Sequence, residues 1–209
     1  MGPRFDLPAR IALFPLEGAV LMPRARLPLH IFEPRYLQML EDTLKTDHRL
    51  IGMIQPEGDG LAAIGTAGRV VAFSETDDGR MMLSLRAVSR FRLGETQEGF
   101  APYVQGVVDW SSFGRDLQGS EQDAGLDRDA LFGLLRRYMD AHELSTDWDA
   151  AARSEDEALI NSLSMMLPFS AADKQALLES PSLSDRRELL MGLIEFALHG
   201  GDDHEERLQ

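Results

Sequence analysis

The sequence predicts an α+β protein, with a closed or nearly closed β structure interrupted by one helix, followed by a C-terminal α-helical bundle. Three observations point there. Short apolar or alternating stretches, separated by Gly, Pro and Asp, recur as far as Trp110. Between Ser111 and Asp129 this texture gives way to Gly114, Gly119 and Gly125 with the acids Asp116, Glu121, Asp123, Asp127 and Asp129. Beyond that point the apolar residues recur at helical spacing. The expected organisation is a β domain over 1–114, a solvated acidic linker over 115–129, a helical bundle over 130–200 and a charged tail over 201–209.

Ile11 and Leu13 alternate with Ala12 and Phe14 in a strand that stops at Pro15. Gly18 and Pro23 punctuate the path to a second strand carrying Leu27, Leu29 and Ile31. Glu33-Pro34 then turns the chain into a helix, because proline suits the first helical position, where its missing N–H costs nothing. Leu37, Leu40 and Leu44, with Met39, give that helix an apolar face. Leu50, Ile51, Met53 and Ile54 suit a buried strand ended by Pro56, and Glu57-Gly58-Asp59-Gly60 reads as a turn.

Gly68 to Glu75 and Met81 to Val88 predict a hairpin bent at Asp78-Gly79, a dipeptide that accepts positive φ. Val71 and Phe73 are expected on one face of the outgoing strand, and Met81, Leu83, Leu85 and Ala87 on one face of the return. Phe91 and Leu93 alternate with Arg90 and Arg92, and Tyr103 to Trp110 supplies the last strand. In the helical half, Asp127 can cap a helix bearing Leu131, Leu134, Leu135 and Tyr138. Ser154 to Glu157 reads as a capping box before Leu159, Ile160, Leu163 and Met166, and that helix must end before Pro168. Ser170 to Asp173 opens another helix with Leu177 and Leu178. Pro181 precedes the last one, which carries Leu189, Leu190, Leu193, Ile194 and Ala197 and is expected to stop at Gly200-Gly201.

Composition bounds the function. Of 209 residues, 44% are hydrophobic and 27% charged, which places the chain with folded proteins rather than disordered ones. Acids outnumber bases 35 to 21, a formal charge of −14 that disfavours nucleic acid and anionic membranes as partners. There are no cysteines, so disulfides, thiolate nucleophiles and cysteine-based zinc sites are excluded. No signal-peptide core opens the chain, and no apolar run approaches the ~20 residues of a membrane span; the expected location is cytoplasmic.

Catalytic patterns are missing as well. No Gly-Lys pair exists to end a phosphate-binding loop. Lys45 and Lys174, the only lysines, both read as exposed, whereas a serine–lysine dyad needs a desolvated base. The five histidines show no i, i+4 pairing or HExxH pattern. No catalytic residue, metal or cofactor is expected. The ten methionines read mainly as core filling.

Leu13-Phe14-Pro15-Leu16, Val20-Leu21-Met22-Pro23 and above all Leu27-Pro28-Leu29-His30-Ile31-Phe32-Glu33-Pro34-Arg35-Tyr36 resemble the Lon protease N-terminal (substrate-binding) domain family, particularly its stand-alone bacterial members. The likeness continues through Ile64 to Val70, Asp78-Gly79-Arg80, Arg90-Phe91-Arg92 and Pro102-Tyr103, spanning residues 8 to 110. It departs at Ala87, where members often have glycine. The resemblance implies a PUA-like β-barrel over 1–114 with helices after it, and a non-catalytic module without ATPase or peptidase parts. Its implied partners are peptide or unfolded-protein segments, or another protein, with an adaptor or proteostasis role. His30, Phe32, Glu33, Arg35 and Tyr36 are then candidate contact residues.

Three of these have a plainer role too. His30 is expected to hydrogen-bond at the barrel corner, Glu33 to satisfy free N–H groups at the helix start, and Arg35 to pair with Glu33 or with carbonyls. The alternative function is a PUA-like RNA- or nucleotide-binding protein, using a basic patch of Arg86, Arg90 and Arg92 that strand alternation puts on one face.

Overall fold

Five strands close into a ring in the computed structural model, which describes residues 7–77, 80–97, 99 and 101–205. In chain order the elements are β1 (Arg10–Pro15), β2 (Arg26–Ile31), α1 (Pro34–Leu44), β3 (Leu50–Ile54), the short β4 (Pro56–Glu57) and β5 (Gly60–Leu61), β6 (Ile64–Glu75), β7 (Met81–Gln97) and β8 (Gln105–Asp109). The ring runs β7–β6–β3–β1–β8 and back to β7, with only β1–β3 parallel. The hairpin bend at Asp78-Gly79 lies outside the described residues.

One strand does double duty. Along one edge β7 pairs with β2 over Met81–Arg86 and with β8 over Arg92–Gln97. Between these partners its backbone would be unpaired. Ala87 N–H donates to the Ala25 carbonyl (2.9 Å), and Arg90 N–H donates to Oδ2 of Asp116 (2.8 Å). Asp116 comes from a 3-10 helix, Ser111–Leu117, that alternation could not announce.

Inside the ring Ile11, Leu13, Leu50, Ile54, Ala67, Phe91 and Val108 form a continuous core. Closure demands a glycine at one crossing: a Cβ on Gly65 would sit 2.6 Å from the Met53 carbonyl oxygen and 2.7 Å from Phe91 Cζ. Against the expectation of Leu37 and Leu44, α1 buries Tyr36, Met39, Leu40 and Thr43. Tyr36 packs on Phe14 with ring centroids 4.3 Å apart.

The chain divides into two compact units, the first running to Gly119 and also taking Phe169–Leu178. Most of α5 (Ala171–Glu179) therefore belongs with the strands, although sequence reading grouped it with the bundle. Three side-chain bonds hold it there: Gln55 Nε2 to the Ala171 carbonyl, Gln175 Nε2 to the Ile64 carbonyl, and Arg90 Nη1 to the Leu178 carbonyl, each 2.9 Å.

The second unit comprises α2 (Arg128–Ala141), α3 (Trp148–Arg153), α4 (Asp156–Met166) and α6 (Leu183–Glu205). Leu131, Leu135, Tyr138, Ile160, Leu190 and Ile194 are buried in it, and the fully buried Arg186 donates to Asn161 Oδ1 (2.8 Å). Asp127 caps α2 as expected, accepting from Ala130 N–H (3.0 Å).

Several local expectations fail here. Ser154 does not form a capping box; its hydroxyl donates to the Ala150 carbonyl at the end of α3, while buried Glu157 accepts from Glu121 N–H. The helix α6 continues through Gly200-Gly201 to Glu205. Nor is 115–129 simply solvated, because Asp116 and Asp123 are buried. Burial would raise the Asp123 pKa, but bonds from Arg187 Nε (2.5 Å), Ser184 Oγ (2.9 Å) and Gly125 N–H (3.0 Å) outweigh it and hold the carboxyl below its ordinary value. Lys174 is half-buried rather than exposed, and desolvation lowers its pKa.

Candidate functional site

Two β-bulges decide which side chains meet on the β2–β7–β6 sheet. Opposite Ala67 and Gly68 the register slips so that Val88 is extra on β7, and farther along Val71 is extra on β6. The strand β6 alternates without interruption through residues 66–69 against β3. Thr66 pairs with Arg90 and Arg69 with Arg86, so Arg90 and Arg86 point to opposite faces.

The expected single patch of Arg86, Arg90 and Arg92 is therefore taken apart. Arg90 is 2% exposed: its Nε donates to Asp116 Oδ2 (2.9 Å), its Nη2 to Oδ1 (3.0 Å), and its guanidinium stacks 4.7 Å from the Phe113 ring centroid. Arg92 is exposed on the far stretch of β7, across from Asp109 of β8. Asp109 titrates below its usual range, chiefly through the Ser111 N–H and hydroxyl, with a smaller contribution from Arg92.

Only Arg86 remains on the open face, and register surrounds it with other arginines. Three cross-strand rows cover that face: Arg26–Arg86–Arg69, then Pro28–Ser84–Ala72, then His30–Met82–Ser74. Every one of these residues is exposed or half-buried, whereas Leu29, Leu83, Leu85 and Val70 on the other side are buried. The face thus has a basic end and an apolar end. Arg86 to Met82 is four residues, roughly 13 Å along a strand.

At the apolar end sits the corner that the sequence singled out. His30 is exposed opposite Met82 and, among the described residues, makes none of the expected corner hydrogen bonds. Phe32 continues the alternation and is 62% exposed, with the Arg80 guanidinium 5.8 Å from its ring centroid. Glu33 is the N-cap residue of α1 but does not cap it through its side chain; instead Oε2 accepts from Arg35 Nε (2.9 Å). Tyr36 faces inward. Burial raises its pKa, Arg35 opposes that and Glu33 adds to it. Of the five motif residues, only His30 and Phe32 join the open face, while Glu33 and Arg35 form an exposed pair beside it.

At the basic end a pocket of about 320 Å³ is lined by Arg24, Arg69 and Arg86, with Val71, Val88 and Leu117. Arg24 occupies the third position of a turn closed by Ala25 N–H to the Met22 carbonyl (3.1 Å), at φ 61°. With proline before it, this is the place where a type II turn favours glycine. Its Nη1 donates to the Asp116 and Arg115 carbonyls (3.1 and 3.4 Å). Asp116 also lines the pocket, but both its carboxylate oxygens accept from Arg90. Sequence reading missed Arg24 and Arg69, because only the register and the turn bring them to Arg86.

Among the described residues no group of three or more His, Asp or Glu could hold a metal ion, and no helix is long and apolar enough to cross a membrane. The face displays apolar side chains and guanidinium groups on a paired sheet, an arrangement suited to contact.

This α+β ring with appended helices is the fold of Lon N-terminal domains. A Lon N-terminal domain protein from Xanthomonas campestris superposes with a TM-score of 0.62 and 25% identity, covering 88% of this chain and 97% of that one. The N-terminal domain of the Mycobacterium avium complex Lon protease gives 0.60 over 89% and 98%, at 14% identity. In sequence, residues 10–195 match the family described as the ATP-dependent protease La (LON) substrate-binding domain, and the chain belongs to that family. It is 25% identical to Lon protease 2 of Sorangium cellulosum over 88% of its length, and 26% identical to the Lon protease of Xanthomonas oryzae over 91%. It spans about a quarter of each of those relatives, 24% and 23% respectively.

Proposed function

We propose that this chain is a non-catalytic substrate-recognition module that holds unfolded polypeptide segments against the open face of the β2–β7–β6 sheet. The observation that carries the reading is the match of residues 10–195 to a substrate-binding domain family. The face supplies a physical means. Phe32 and Met82 are 62% and 41% exposed there, and covering such side chains removes apolar surface from water. As an adaptor, the chain would present the held segment to a partner protein.

Binding of fluorescein-labelled β-casein, an unfolded polypeptide, followed by anisotropy, tests this. The intact protein is expected to bind, and Phe32→Ser with Met82→Ser to weaken binding about tenfold, the loss from exposing roughly one apolar side chain's worth of buried surface. Equal binding by both, or none by the intact protein, refutes the reading.

The second reading, RNA or nucleotide binding, keeps Arg86 but loses Arg90 to Asp116. The pocket beside Arg86 is walled by Val71, Val88 and Leu117 rather than by an aromatic ring on which a base could stack.

A further inference from the structure

We propose that the pocket formed by Arg24, Arg69 and Arg86 is a carboxylate-receiving subsite. Resting on the recognition role above, this makes the preferred segments those with an acidic residue about four positions from an apolar one.

The row Arg26–Arg86–Arg69 sets like charges directly opposite one another twice, an arrangement that destabilises a sheet unless an anion offsets it. Among the described residues the Arg26 and Arg86 guanidinium groups make no hydrogen bond or ion pair. Arg24 adds a third guanidinium to the pocket from a backbone conformation that disfavours any side chain, and two carbonyls brace it in place. The pocket's one acid, Asp116, already serves Arg90, so the charge facing the opening is positive.

This concentration of arginine stands out in a chain of net charge −14. At physiological ionic strength distant acids are screened beyond about 8 Å, whereas a guanidinium and a carboxylate in contact are not. Val71, Val88 and Leu117 line the pocket beside the charges, so a peptide seated there displaces water from around that contact and strengthens it. Arginine's planar fork also matches a carboxylate with two parallel bonds.

A peptide is favoured over a nucleic acid for a specific reason. A phosphate backbone would draw a string of charges across a predominantly acidic surface, while a peptide brings a single carboxylate to a single basic row. The row that holds Met82 lies four residues farther along the strand. An extended peptide laid alongside advances by the same step per residue, so a carboxylate at Arg86 places the fourth residue beyond it against Met82 and Phe32.

The test uses labelled twelve-residue peptides in a Gly/Ser background. One carries Glu and Leu four apart with an amidated C-terminus, and a second has Gln for Glu. A third has Gln and a free terminal carboxylate four residues from Leu; oligouridine of twelve nucleotides is the competitor. Each is titrated against the intact protein, Arg86→Gln and Arg24→Gly. The Glu peptide is expected to bind the intact protein about tenfold more tightly than the Gln peptide, the effect of one charge-assisted contact. Arg86→Gln should erase that difference between the Glu and Gln peptides without lowering the urea midpoint. Arg24→Gly should weaken the Glu peptide without destabilising the turn. Preference for the third peptide over the second assigns the same chemistry to a chain terminus.

Equal affinity for Glu and Gln peptides overturns the subsite but leaves the recognition role intact, as does β-casein binding with no peptide binding. Failure of β-casein and every peptide together removes both. Oligouridine binding that Arg86→Gln abolishes, with no Glu-peptide preference, overturns the proposal in favour of nucleic acid.

Discussion

Arg86 and Arg90 lie four residues apart on one strand, and in a regular strand they would share a face. The inserted Val88 sends them to opposite sides. At Arg90 the chain closes over the guanidinium, supplies Asp116 in bidentate geometry, and adds the Leu178 carbonyl and the Phe113 ring. At Arg86 it supplies two more arginines and an open pocket. A buried charge must be neutralised and hydrogen-bonded by its own protein, so Arg90 has a structural role. An exposed charge is satisfied by water, and can exchange that water for a ligand.

The contrast breaks most visibly at Asp116. Asp116→Ala would strand the buried Arg90 guanidinium and its backbone N–H, and should cost about 3–5 kcal/mol, read as a fall in the urea midpoint. Adding Arg90→Leu should recover much of that loss, since the pair removed together leaves no orphan charge. If Asp116→Ala is no worse than a surface change, the division between the two arginines collapses.

A smaller effect sharpens the basic end through His48. Its Nδ1 accepts the Leu50 N–H (3.0 Å), so protonation there breaks a bond at the start of β3. Burial depresses its pKa, Arg69 pushes it lower, and Asp47 acts in opposition. The folded protein therefore takes up this proton less readily than the unfolded chain. The associated stability is complete above pH about 6.5, the ordinary histidine value, and drains away as pH falls through the depressed value. Thermal melts from pH 7.5 to 5 should show a decline in Tm that His48→Gln flattens, amounting to less than about 1 kcal/mol because the ring is half-exposed. Arg69→Gln should shift the decline to higher pH in a histidine NMR titration.

Least of all, Arg86→Gln should alter stability by no more than about 0.5 kcal/mol, and in the stabilising direction if it relieves the row of like charges. A loss comparable to that at Asp116 would mean that Arg86 is structural after all.

Much of this architecture was legible along the chain. Alternation at Leu27, Leu29 and Ile31, proline at the start of α1, and the all-apolar run of β3 each reflect a local rule, and each element formed where that rule put it. The motif corner was legible as a place but not as a set of roles: Phe32 is open, Tyr36 is core, and Glu33 pairs with Arg35 instead of capping. The arginine pocket was not legible. Extending the Phe73–Leu83 register without the bulge at Val71 would place Val70, not Arg69, across from Arg86. No residue preference at Val71 or Val88 announces a bulge.

The sequence by itself determined the order and kind of most elements, because helical and strand periodicities, proline positions and turn residues act over a few neighbours. It also determined that the surface would be acidic and free of cysteine chemistry. Only the tertiary structure decided that Arg90 would be buried and Arg86 offered to solvent, that α5 would join the strands, and that Arg24 and Arg69 would meet. Those outcomes rest on pairings between residues far apart in the chain, where a slip of one residue reverses which face a side chain occupies.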